Sequence, residues 1–139
     1  MPVSFHEQTG VALRERNKLR AFIREIFSLE GHHVAVLDII FCTDDYLKSI
    51  NVQFLQHDYY TDIITFNLTT PPAKEFTGEI YISIDRVKEN SITHATSFKN
   101  ELHRVIFHGV LHLCGYKDKK RSDKALMSEK ENAYLDMYF

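Results

Sequence analysis

Two histidines four residues apart, His108 and His112, followed by Gly115 and Asp118, are the residues of this chain whose types and spacing could do chemistry. On a helix, positions four apart project from one face, one turn apart. Both imidazoles can then reach a single ion at about 2 Å. Glycine readily takes the left-handed conformation that ends a helix and turns the chain back. Asp118, three residues past Gly115, can swing beneath the two rings as a third ligand. Three protein ligands leave one coordination position open, which a hydrolytic centre needs. The spacing therefore predicts one divalent ion per chain, zinc, held by His108, His112 and Asp118 and used for hydrolysis. The rival reading is a pair of core histidines. The glycine and the carboxylate at matching offsets favour the metal.

The spacing HxxxHxxGxxH is that of the metzincin proteases, with aspartate here in the last place. Position 109 is glycine, where those proteases carry the catalytic glutamate. The base that would serve a peptidase is absent from its usual place, so a zinc peptidase is a minor alternative. Cys114, two residues from His112, falls nearly on the opposite face and reads as core. Cys42 also has apolar neighbours, and the pair reads as two small buried hydrophobes rather than a disulfide.

The elements that must position these residues can be read from periodicity. Residues 98–114 form a long helix with two stripes: Leu102, Val105, Ile106, Gly109, Val110 and Leu113 apolar, and Glu101, Arg104, His108 and His112 polar. Upstream, residues 2–7 suit a short strand. Residues 11–29 suit a helix, with Leu19, Phe22, Ile23, Ile26 and Phe27 on one stripe and Gly31 as its stop. Val34 to Phe41 is apolar on both alternating faces, as in a central strand covered on both sides. Thr43, Asp44 and Asp45 begin a helix whose inner face is Leu47, Ile50 and Phe54. Asp62–Leu68 and Gly78–Ile84 read as strands, 86–94 as a short helix and 122–137 as a last helix. Between the two strands, Pro71-Pro72 fixes a loop. The expected fold is α+β, a single domain over residues 1–139, with a mixed sheet of about four strands, about five helices and the metal site on a central helix.

Composition limits the function classes. No apolar stretch approaches the ~20 residues of a membrane span. The start, Met1-Pro2-Val3-Ser4-Phe5-His6-Glu7, is neither basic nor apolar, so a soluble, cytoplasmic protein with no membrane partner is expected. A net charge of −2 does not advertise nucleic-acid binding. An anionic partner would have to meet local patches. These are Lys117, Lys119, Lys120 and Arg121 beside the third ligand, and Arg14, Arg16, Lys18, Arg20 and Arg24 on the first helix. The second set reads more readily as a solvated helix face.

The stretch His108-Gly109-Val110-Leu111-His112-Leu113-Cys114-Gly115-Tyr116-Lys117-Asp118 resembles the HGxLHLxGYDH pattern of the YbeY family of bacterial rRNA maturation factors. Asn51, Thr61-Asp62-Ile63-Ile64-Thr65-Phe66, Gly78-Glu79-Ile80-Tyr81-Ile82-Ser83, Met127 and Glu131 stand where that family has an Asn, a TDVLSF-like strand, a GD-type strand and a Met and Glu of the last helix. The resemblance covers residues 40–135. It implies a zinc-dependent, single-strand-specific endoribonuclease acting in rRNA processing, at 16S rRNA 3′-end maturation, and in ribosome quality control. Its partners would be single-stranded rRNA and the ribosome or ribosomal proteins. Two positions depart from the pattern. The family's third histidine falls at Asp118, and its Arg between the Asn and the TD strand falls at Leu55. Arg86 is the expected replacement, with Arg104 as a second phosphate-stabilising candidate; an Arg104–Glu101 salt bridge is the plainer reading. His57 and Asp58 are weak candidates for a general acid, and turn residues otherwise. The alternative function is a non-catalytic zinc-binding ribosome-assembly factor.

Overall fold

A computed structural model describes residues 2–11 and 13–139. The chain runs β1 (Val3–Glu7), α1 (Arg16–Leu29), β2 (Val34–Cys42), α2 (Asp44–Leu55), β3 (Ile63–Asn67), β4 (Phe76–Ser83), α3 (Ile84–Thr93), α4 (Phe98–Leu113) and α5 (Arg121–Tyr138). The strand order is β1-β2-β4-β3. β1, β2 and β4 run parallel and β3 runs antiparallel to β4, so the sheet is mixed, as expected.

The main core lies between one face of the sheet (Leu37, Ile39, Phe41, Ile80, Ile82) and the apolar sides of α1, α4 and α5. A smaller cluster, Cys42, Leu47, Ile50 and Ile64, seats α2 on the other face. α4 packs against α3, α5, β3 and β4 and is the central helix of the fold.

Three expectations change. The first helix starts at Arg16 rather than residue 11, because Glu15 sits in the left-handed region (φ 54°) and Leu13 turns into the core. Ala12, inside the expected helix, lies outside the described residues. β2 is covered on both faces only toward its end. Val36 is 45% exposed, since α2 does not extend over that half of the sheet. On α2, Phe54 is exposed and touches Phe66 edge-on, while Asn51 is the residue that turns inward.

Gly109 explains how α4 comes so close to the sheet. A Cβ there would stand 2.8 Å from Ile63 Cδ1 and 3.1 Å from two Ile80 carbons. A glutamate at 109 would point into the core, away from the histidine face. Alanine gains about 1 kcal/mol in helix propensity. Overpacking costs about 1–3 kcal/mol. Gly109→Ala is therefore expected to destabilise the protein by up to about 2 kcal/mol net. Urea unfolding would read this as a lower midpoint, and a raised midpoint would contradict the close packing.

Candidate metal centre and active-site cleft

α4 begins at Ser97, whose side chain caps the Asn100 amide, and ends in a Schellman turn. In that turn Tyr116 N–H bonds to Leu111 C=O and Gly115 N–H to His112 C=O, each at 3.0 Å. Gly115 has φ 105°, a value that side chains rarely adopt. The reversal brings Asp118 back under the helix, as the spacing predicted. Asp118 Oδ2 stands 3.1 Å from His112 Nε2 and 3.3 Å from His108 Nε2. His108, His112 and Asp118 form a metal-capable group, with ligand atoms all within 4.8 Å of one another.

The other ring nitrogens fix the histidines' tautomers. His112 Nδ1 is 2.9 Å from Tyr116 C=O, which can only accept, so Nδ1 carries the proton. His108 Nδ1 lies 2.6 Å from Glu131 Oε2 and donates to that carboxylate. With both Nδ1 atoms donating, each neutral ring turns an Nε2 lone pair toward the Asp118 oxygen. Three acceptors converging on one point repel unless a cation or a proton lies among them. Ligands of a tetrahedral zinc lie roughly 3.3–3.4 Å apart, close to the two separations found. The donor set, its spacing and the carboxylate and carbonyl behind the rings all fit a bound divalent ion. Burial disfavours the charged His108 ring, but Glu131, Asp118 and Asp62 together outweigh it and raise its pKa.

The cleft above this group, about 340 Å³, is lined by Asn51, Leu55, His57, Tyr59, Asp62 and Lys119 along with the three ligand candidates and parts of β3. Asp62 begins the β3 wall. Burial pushes its carboxyl above the usual range, and Asp118 and Glu131 add to this against the opposing effect of His108. Lys117, Lys119, Lys120 and Arg121 are all exposed beside Asp118.

The two arginines expected to meet phosphate are placed elsewhere. Neither is among the described residues lining the cleft. Arg86, in the first turn of α3, gives its guanidinium to Asp44 at 2.8 and 3.4 Å and lies over the Tyr60 ring. It ties the starts of α2 and α3 together. Arg104 pairs with Glu131 Oε1 at 2.9 Å and with Asn132, not with Glu101. Glu101 is buried and faces His94 instead. Through Glu131, Arg104 helps set the His108 ring. His57 stacks on Tyr59 at the cleft rim, and Asp58 pairs with Lys48. Cys114 packs against the core, away from the ligand group; burial pushes its thiol up to about 12. Three of the basic residues of α1 are engaged locally: Arg16 with Glu7, Lys18 with Glu15, Arg20 with Asn17.

A family model described as Endoribonuclease YbeY matches residues 4–138. This chain belongs to the YbeY endoribonuclease family. It is 47% identical to a Cytophaga hutchinsonii protein named Endoribonuclease YbeY, over 96% of this chain and 92% of that one. It is 41% identical to the Porphyromonas gingivalis protein of the same name, over 97% and 89%. The solution structure of a Thermotoga maritima protein aligns with TM-score 0.65 at 27% identity, covering 98% of this chain and 88% of the other. Glu131, which touches His108, and Asp62, which lines the cleft, stand at this site although residue-type reasoning gave them no role. Both reach the site from elements distant in sequence from α4.

Glu30 supports the same turn from behind. Its carboxylate accepts hydrogen bonds from Tyr116 (2.6 Å) and Tyr134 and pairs with Lys130 at 3.6 Å. Burial works against its ionisation, but the two hydroxyls and Lys130 outweigh it, so its pKa is lowered. A depressed carboxyl contributes stability above its unfolded pKa and loses it as pH falls through the folded value. Glu30→Gln is expected to cost about 1–3 kcal/mol at neutral pH. The gap to wild type should shrink once pH drops below the ordinary glutamate range. Thermal melts of both proteins from pH 7 to pH 3 would check this, and a constant gap would contradict it.

Proposed function

We propose that this chain is a zinc-dependent, single-strand-specific endoribonuclease working as one hydrolase domain in cytoplasmic rRNA processing, including 16S rRNA 3′-end maturation and ribosome quality control. The observation that carries this reading is the convergence of three acceptor atoms at the floor of a cleft with a basic rim, in a chain of the YbeY family. His108, His112 and Asp118 would hold the ion. When bound, it supplies Lewis acidity and acidifies water. Glu131 and the Tyr116 carbonyl hold the two imidazoles with Nε2 facing inward. Lys119 and its basic neighbours would bind backbone phosphates. Asp62, in the cleft lining at the start of β3, would face the bound phosphodiester. The partners are single-stranded rRNA and the ribosome or its proteins.

Leu55 favours a second reading. It lines the cleft where the resemblance led us to expect an arginine, and Lys119 is the one lysine or arginine among the described lining residues. A zinc-binding assembly factor that holds rRNA without cutting it would tolerate that loss. Incubating the zinc-loaded protein with single-stranded rRNA fragments and, in parallel, with a peptide panel separates the readings. Cleavage of RNA alone is expected. RNA binding without cleavage would favour the assembly factor, and peptide cleavage alone would revive the peptidase. RNA affinity should also fall steeply with salt if the basic rim holds phosphates, and a flat salt response would contradict that role.

A further inference from the structure

Of the exposed aromatic residues near the cleft, Tyr59 differs from its neighbour. Tyr60 is already covered: Lys48 Nζ lies 4.6 Å and the Arg86 guanidinium 5.2 Å from its ring centre, and its hydroxyl bonds to Asp45. Tyr59 stacks on His57 with centroids 5.2 Å apart and planes 18° from parallel, and the residue remains 54% exposed. Its hydroxyl lies 3.0 Å from His57 Nδ1, which locks the two rings together. Below them the backbone is anchored. Asn51, only 2% exposed, donates from its side chain to the Tyr59 carbonyl at 3.0 Å, and Gln56 turns the chain through the left-handed region at the end of α2. The result is a two-ring shelf on the rim of the cleft that holds the ligand group at its floor and Lys119 in its lining.

We infer that the His57–Tyr59 pair is a stacking platform for an unpaired base of the RNA substrate, and that it makes the cleft selective for single strands. This rests on the nuclease reading above and adds the residue that positions the nucleotide. A base within a duplex has both faces covered by its neighbours, whereas an unpaired base offers a face to an aromatic ring. Stacking is sequence-tolerant because every base has such a face. Lys119 would hold the phosphate of the same strand while the base rests on Tyr59. Leu55, beside the platform, adds apolar surface where a cation would have gripped phosphate, so base stacking takes a larger share of binding in this chain.

The test compares wild type with Tyr59→Leu, His57→Ala and Tyr59→Phe. Binding of a short fluorescein-labelled single-stranded RNA, and of the same strand in a duplex, is followed by anisotropy, and KM and kcat are measured with zinc-loaded protein. Tyr59→Leu should weaken single-strand affinity and raise KM about ten-fold or more, with a smaller change in kcat and in duplex binding. His57→Ala should have a smaller effect in the same direction, and Tyr59→Phe should retain most of the affinity. Because the Tyr59 side chain is half-exposed and its backbone makes the anchoring bond, these variants should melt close to wild type. Wild-type affinity in Tyr59→Leu, with wild type still cutting RNA, would overturn the platform and leave the nuclease reading intact. A wild type that neither binds nor cuts RNA would remove both.

Discussion

Protein carrying His112→Ala together with Asp118→Ala should lose its zinc and its RNA cleavage together. Two of the three ligand candidates are then gone, and one histidine cannot retain an ion against solvent. An ion held there would contribute several kcal/mol to the reaction, so the rate should fall by about a thousand-fold or more. Folding should survive. The two side chains are 25% and 39% exposed, and the main structural loss is the bond from His112 Nδ1 to the Tyr116 carbonyl. That bond is worth about 1 kcal/mol. Metal analysis after chelator-free purification, a cleavage assay and a urea titration on one preparation measure all three. A double variant that keeps its zinc would contradict the assignment of these ligands.

Glu131→Ala should have the second-largest effect, and it acts on two properties at once. The Glu131 side chain is 8% exposed and serves His108 with one oxygen and Arg104 with the other. Removing it leaves a guanidinium and an imidazole without their shared partner. Breaking such a buried, charged contact costs about 3 kcal/mol. Loss of the partner behind a ligating histidine typically weakens metal affinity about 10–100-fold. Glu131→Gln keeps the shape and can still accept from one of the two groups, so it should fall between wild type and alanine in both measurements. Competitive zinc titration and urea unfolding would show this order. Affinity unchanged in Glu131→Ala would mean that the His108 ring is set by something other than this carboxylate.

The ligand group was legible because all of it lies on one helix and the turn that follows. Spacing along α4 and the glycine at 115 encode the geometry directly. The buried stripes of α1 and α4 and the alternation of β4 were legible for the same reason: each element's own period shows which side is buried. What pattern alone could not supply depends on contacts between elements. Glu131 meets His108 across 23 residues of sequence, and in isolation it reads as one more charge on α5. The resemblance marked its position but gave it no role. Arg86 looked free to bind phosphate because Asp44, 42 residues earlier, is invisible to local reading. Asp62, His57 and Tyr59 come from the segment joining α2 to β3. That segment has no periodicity, and its place in the cleft is set by the buried Asn51. The missing catalytic glutamate was legible at Gly109, but its physical reason, the close approach of Ile63 and Ile80, needed the fold.

Whether an ion at this centre is needed for RNA cleavage decides between a metallonuclease and its rivals. We would purify wild-type protein without chelator, measure its zinc, and assay single-stranded rRNA fragments before and after stripping the metal and after adding zinc back. About one zinc per chain, cleavage that disappears on stripping, and recovery on readdition are expected. Cleavage at full rate by stripped protein, or a protein that takes up no metal at all, would contradict a metal-dependent nuclease.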